Sequence, residues 1–180
     1  MSTPRWEHFE HRADIIMREF AEETGLTGAS PPRRYLWTDA FAVCNYLELY
    51  RQSDNRDYLE LALKLVDQVH HVLGKSRDGK SWLSGLDNKE AERHPTAGGL
   101  RIGKKLAERR PDEAFDEQLE WDRDGQHFHY LTKWMHALNR VSRVTDKGIY
   151  NQWAIELAQV AHGAFTYQPA GSQVKRMVWK

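Results

Sequence analysis

The sequence predicts an all-α domain over residues 1–180, built from helical hairpins, with about five main helices and one long inserted loop. Three observations carry this expectation. Apolar residues recur at steps of three and four through most of the chain. Two stretches, 35–73 and 127–165, repeat the same apolar spacing 92 residues apart, as from Tyr58 to Tyr150. Between them, residues 75–124 show little periodicity but keep Trp82, Leu83, Leu86, Leu100, Ile102, Phe115 and Trp121. That is too apolar for a disordered spacer, so an ordered covering loop is expected.

The first segment, Arg5 to Thr24, is apolar at Trp6, Phe9, Ala13, Ile16, Met17 and Phe20, one stripe of a helix that Gly25 can stop. His8 and His11, one turn apart, would face water. "GLTGASPPRR" then breaks regular structure, because neither proline fits a helix interior. From Tyr35 to Gln52 the apolar side chains, among them Leu36, Phe41, Val43, Tyr46 and Leu49, point in nearly every direction, which predicts a helix buried all round. After "SDNRD" comes an amphipathic helix from about Arg56 to Leu73, with Tyr58, Leu61, Ala62, Leu65, Val69, Val72 and Leu73 on its apolar side. Tyr150, Trp153, Ala154, Leu157, Ala161, Ala164 and Phe165 fall at the same spacing, His70 aligns with His162, and Asp54 with Asp146. The preceding helices match in character, with Tyr46 over Leu138, Leu49 over Val141 and Ala42 over Trp134. Hairpins of this kind stack, because neither helix can cover its own apolar surface.

Lys plus Arg and Asp plus Glu number 26 each, so no global field favours nucleic acid or an anionic membrane. No run approaches the length of a bilayer span. The first twenty residues carry acids and histidines where a signal peptide needs an apolar segment, so a cytoplasmic home is expected. Cys44 is the only cysteine, which excludes an intrachain disulfide and a multi-cysteine zinc site. "GGLRIGKK", residues 98–105, nearly spells a phosphate loop, but Lys105 stands where a magnesium-holding hydroxyl belongs and no strand precedes it. No cofactor is expected, and no metal either, since His129 and His136 lie two turns apart without a third ligand.

Two stretches, "YLWTDAFAVCNYLELYRQSDNRDYLELALKLVDQVHHVL" and "FHYLTKWMHALNRVSRVTDKGIYNQWAIELAQVAHGAF", resemble the six-hairpin, or (α/α)6 toroid, glycosidase-like superfamily, and more narrowly a bacterial branch of it. Its members include glycoside hydrolases, sugar epimerases and isomerases, and polysaccharide lyases. They bind sugars in a funnel lined by inner-helix ends and long loops. The resemblance implies carbohydrate metabolism and a sugar or other small-molecule ligand. This chain departs from the pattern by holding about five helices where a ring needs twelve. It is therefore expected to be a partial toroid, completed by a missing C-terminal half or by a second copy in a homodimer.

"EWDRDGQHFHYLTKWMH", residues 120–136, crowds acids, histidines and tryptophans at one helix entrance. Glycoside hydrolysis needs one protonated and one ionised carboxyl about the scissile bond. Glu120 and Asp122 could supply one, with Asp39 on the preceding inner helix as partner; the competing reading is solvated loop charge. Asp124 has a plain job as a helix cap. His129 shares a face with Lys133 and His136 and is a candidate proton carrier, as histidines are in the resembling epimerases, unless it is a hydrogen-bonded core histidine. Trp37 and Trp121, with His127, are candidate substrate-binding residues; tryptophan faces stack on sugar rings. Arg34 and Arg101, with Arg33, could clamp an acidic group. A hydrolase or epimerase is one reading, and a non-catalytic helical module binding a glycan or a protein partner is the other.

Overall fold

The computed structural model describes the chain from Arg5 to Lys180, with side chains from residue 12 onward, so Trp6, His8, Phe9 and His11 lie outside the described side chains. The fold is mostly helical. In order come α1 (Arg5–Glu23), α2 (Leu36–Ser53), α3 (Arg56–Leu73), the short α4 (Asn88–Arg93) and α5 (Glu117–Glu120), then α6 (Phe128–Thr145) and α7 (Gly148–Phe165). A two-residue antiparallel ribbon, β1 (Thr166–Tyr167) with β2 (Arg176–Met177), follows. No described helix is long and apolar enough to cross a membrane.

Helix α1 stops where a glycine can turn left-handed. Gly25, at φ 68°, sends its N–H to Glu22 O, and Leu26 N–H reaches back to Ala21 O. Leu26 itself is fully buried, closing the turn with an apolar contact.

All four boundaries of α2 and α3 recur in α6 and α7 at an offset of 92 residues. The hairpin turns recur too. Asp54 and Asp146 are the only non-glycine residues with positive φ among those described, at 54° and 55°. Aspartate tolerates this left-handed conformation better than most side chains, so each turn reverses the chain within two residues. The buried stripe of α3, Ala62, Leu65, Val69 and Leu73, has its counterpart in Ala154, Leu157, Ala161 and Phe165 of α7. His70 and His162 part ways, however. His70 is buried and accepts a 3.1 Å hydrogen bond from Trp134 Nε1, whereas His162 is exposed.

Helices α2 and α6 pack side by side and run parallel. The Tyr35 and Tyr130 hydroxyls pair at their starts, and Arg140 comes within 3.9 Å of Glu48 in their second halves. The α2 helix also contacts α1 and α3, and Tyr46 donates to Met17 O at 2.8 Å to hold α1 in place. Its expected all-round burial is not what forms. Leu36, Ala40, Val43 and Leu47 are enclosed, but Phe41 is 48% exposed and Asn45 is open. Three neighbouring helices cover three sides of α2, and no described element packs on the fourth.

The segment 75–124 is a folded covering loop with two short helices. Leu100 and Ile102 are fully buried, each contributing roughly 2 kcal/mol of apolar transfer. The backbone here stitches three helix ends together. Leu36 N–H donates to Ile102 O, Arg101 N–H to Leu73 O, and Ile102 N–H to Gly125 O. These bonds satisfy helix-end groups that α2 and α3 would otherwise leave open. Further along, α4 is held on α7: His94 Nδ1 lies 2.6 Å from Glu156, and Trp153 Nε1 donates to Arg93 O at 2.8 Å.

Candidate functional site

The parallel packing of α2 on α6 brings their starts to one end of the described structure, where the covering loop and the final segment meet them. The result is a continuous row of rings. Trp37 lies 5.2 Å from Tyr130 and 6.0 Å from His129, and His129 lies 5.8 Å from His127. His127 meets Trp179 edge-on at 5.2 Å, and Trp179 stacks on Trp121 at 4.7 Å, with their planes 17° apart. Trp179 is drawn in by its backbone, since its carbonyl accepts the first N–H of α6, from Phe128, at 2.9 Å. Trp121, 51% exposed, leaves a face toward water.

The structure joins Trp37, Trp121, His127 and His129 in this row, and treats the acids differently. Asp39 is fully enclosed: it accepts the Tyr35 N–H at 2.9 Å and stands 3.6 Å from Arg34, which is itself buried. Burial pushes the Asp39 carboxyl up to about 7 despite Arg34 and the Tyr35 N–H. A carboxyl poised near neutrality suits a general acid, but this one faces no open space. Glu120 lies at the rim, tied to Lys180 Nζ at 2.8 Å and Arg109 Nε at 3.1 Å. The Lys180 hydrogen bond first, then the charges of Lys180, Arg109 and Arg123, hold its carboxyl below the usual range, so it stays ionised. Asp122 points to solvent, 3.6 Å from Lys104.

Asp124 does not cap α6. It is fully buried and takes hydrogen bonds from Arg77 (2.7 Å), from Arg101, and from the backbone N–H groups of Gly103 (2.8 Å) and Lys104 (3.3 Å). The start of α6 falls instead at His127, which makes no side-chain cap. Arg101 is spent inside the fold, bonded to Asp124, Lys75 O and Val72 O, where it closes the end of α3. Arg34 donates to Thr24 O, and Arg33 to Glu23 O. None of these three guanidiniums is turned toward the row of rings. Gly98 and Gly103 of the 98–105 stretch serve close backbone crossings. A Cβ at Gly98 would meet Ser84 N at 2.1 Å, and one at Gly103 would meet Arg34 O at 2.2 Å.

His127 is buried with neither ring nitrogen hydrogen-bonded, and burial, then the charges of Lys180, His129 and Lys104, pull its pKa down to about 4. His129 is half-buried, and burial, then Lys133, lower its pKa from the usual histidine value. Both are therefore neutral near pH 7. No group of three or more His, Cys, Asp or Glu side chains among the described residues could hold a metal ion.

Beyond Trp179 the surface opens into a pocket of about 420 Å³ that sequence reasoning did not single out, lined by Glu108, Arg109, Phe115, Glu120, Val178, Trp179 and Lys180. Its size is that of a small-molecule site, and it combines rings with charges of both signs. Only Glu120 among these had been a candidate. The signal that could have found the rest was the aromatic and basic ending "VKRMVWK". Its contact with residues 108–120 is long-range and leaves no trace in spacing. No protein-family model, curated protein or solved structure matches this chain.

Proposed function

We propose that this chain is a carbohydrate-active protein of the six-hairpin type, an arc of an (α/α)6 toroid whose ring-lined mouth holds a sugar. The observation that carries the reading is the unbroken row from Trp37 through His129, His127 and Trp179 to Trp121. Pyranose faces stack on such rings, while the charged groups of the adjoining pocket can bond hydroxyls. Parallel inner helices at a constant repeat support the toroid reading. Ile149 and Ile155 of α7, 39% and 53% exposed, are apolar side chains that a further hairpin or a second copy would cover.

Among the described residues this mouth offers binding more clearly than hydrolysis. Hydrolysis needs a protonated carboxyl beside an ionised one, but Glu120 is held ionised and Asp39 is sealed in. One observation favours a catalytic variant: His129 is a neutral imidazole on the wall beside Trp37, which suits a general base of the epimerase kind. Calorimetric titration with a panel of mono- and oligosaccharides tests the reading, using the natural chain and the Trp37→Ala and Trp121→Ala variants. Binding weakened about tenfold or more in either variant, with the helical fold retained by circular dichroism at the assay temperature, is expected from the loss of one stacking platform. No binding across the panel refutes the proposal. Turnover that His129→Ala abolishes would select the catalytic variant.

A further inference from the structure

Away from the mouth, the open side of the α2–α6 pair forms a shallow groove, with a dent of about 140 Å³ lined by Ala40, Phe41, Cys44, Lys133 and His136. The internal repeat permits a comparison within this one chain. Where the two inner helices face the core, equivalent positions stay apolar: Ala42 matches Trp134, Tyr46 matches Leu138, and Leu49 matches Val141, all buried. On the groove side they do not stay alike. Trp37 is matched by His129, and Phe41 by Lys133. One and two turns further on, Cys44 is matched by His136, and Glu48 by Arg140. At all four groove positions α6 carries His, Lys or Arg where α2 carries none, and two of them, Lys133 and Arg140, are fixed cations. Packing does not ask for this, since Lys133 and His136 are exposed.

The stripe is largely free of counter-charge. Neither Lys133 nor His136 has a carboxylate within ion-pair distance among the described residues. Among the described residues Arg140 has only Glu48, at 3.9 Å, and Arg51 already engages Glu48 at 2.6 Å. Lys133 Nζ lies 5.7 Å from the Trp37 ring centroid, so cation and ring platform sit together on one wall. From His129 to Arg140 the helix rises roughly 16 Å, several sugar rings end to end.

We propose that this groove, running on from the mouth, binds the chain of a carboxylated polysaccharide, with a ring on Trp37 and carboxylates on Lys133 and Arg140 of α6. The inference rests on the carbohydrate reading above and adds the class of sugar. A neutral glycan would have no use for the two fixed cations in register, Lys133 and Arg140. A nucleic acid could stack bases on Trp37 and Phe41, but its phosphate at every residue would find only two fixed cations, Lys133 and Arg140, along this face.

Isothermal titration of the full chain with three hexamers tests this: galacturonic acid, unsubstituted glucose and single-stranded deoxythymidylate. The galacturonate hexamer is expected to bind tightest, and its affinity should fall about tenfold or more in the double variant Lys133→Gln, Arg140→Gln, as the loss of charge-assisted contacts requires. The glucose hexamer should be unaffected by that variant. Glucose binding as tight as galacturonate overturns the acidic-chain inference and leaves the carbohydrate reading standing. Deoxythymidylate binding as tight as galacturonate also overturns it, because charge alone then suffices. Binding of none of the three overturns both readings. Galacturonate binding indifferent to the double variant places the chain elsewhere and overturns the groove assignment.

Discussion

Replacing Asp124 by alanine removes the acceptor around which the covering loop is organised. Two guanidiniums and two backbone N–H groups converge on this one carboxylate, which has no exposure of its own. Arg77 is partly exposed and can turn to water. Arg101 keeps its bonds to Lys75 O and Val72 O but loses its counter-charge, and the Gly103 N–H is left without a partner. Breaking a buried, hydrogen-bonded ion pair from one side costs about 3–5 kcal/mol. For a chain of this size each kcal/mol lowers the melting temperature by about 2–4 °C, so a loss of about 4 kcal/mol lowers it by roughly 8–16 °C. The effect should reach the site as well, because Ile102 O accepts the Leu36 N–H one residue before Trp37. Circular dichroism melts give the first quantity, and amide hydrogen exchange at Leu36, Arg101 and Gly103 gives the second. Asp124→Asn, which keeps an acceptor but not the charge, should fall between. A drop of less than about 3 °C in Asp124→Ala, or unchanged exchange at Leu36, would refute the view that this carboxylate holds the loop on the helix ends.

Acidification should destabilise the fold. His70 and His127 are neutral in the folded chain down to about 3 and about 4, against 6.5 for a free histidine, so between pH 4 and 6.5 unfolding takes up two protons. Asp39, folded near 7 against about 3.9 when unfolded, releases one over the same window. From these three groups the net uptake of one proton contributes a fall of about 1.4 kcal/mol per pH unit on going down from 6.5, a contribution that should roughly double in Asp39→Asn; urea melts from pH 4.5 to 6.5 check both, and an equal slope in the two proteins contradicts them. Gly103→Ala should destabilise by about 1–3 kcal/mol, because φ is 87° and the added methyl meets Arg34 O at 2.2 Å; denaturant unfolding with a loss under about 0.5 kcal/mol would show that the crossing relaxes freely.

What the sequence by itself determined is the repeating part of this protein. Apolar spacing sets which face of each helix is buried, so the matched stripes from Tyr58 and Tyr150 already marked two hairpins of equal length. The acids at 54 and 146 marked their turns, because few side chains accept a left-handed residue there. Trp37, His127, His129 and Trp121 were legible as ring-bearing residues at helix entrances. Partnership was not legible. Asp124 reads as a cap and Arg101 as a ligand clamp until the loop brings them together across 23 residues. Glu120 reads as a free acid until Lys180 arrives from 60 residues away. Asp39 reads as accessible until Arg34 and the Tyr35 N–H turn up against it in a buried setting. Periodicity records only which side of an element meets apolar neighbours, whereas ionisation and exposure depend on which distant charges and carbonyls come within a few ångströms, and only the tertiary packing decides that.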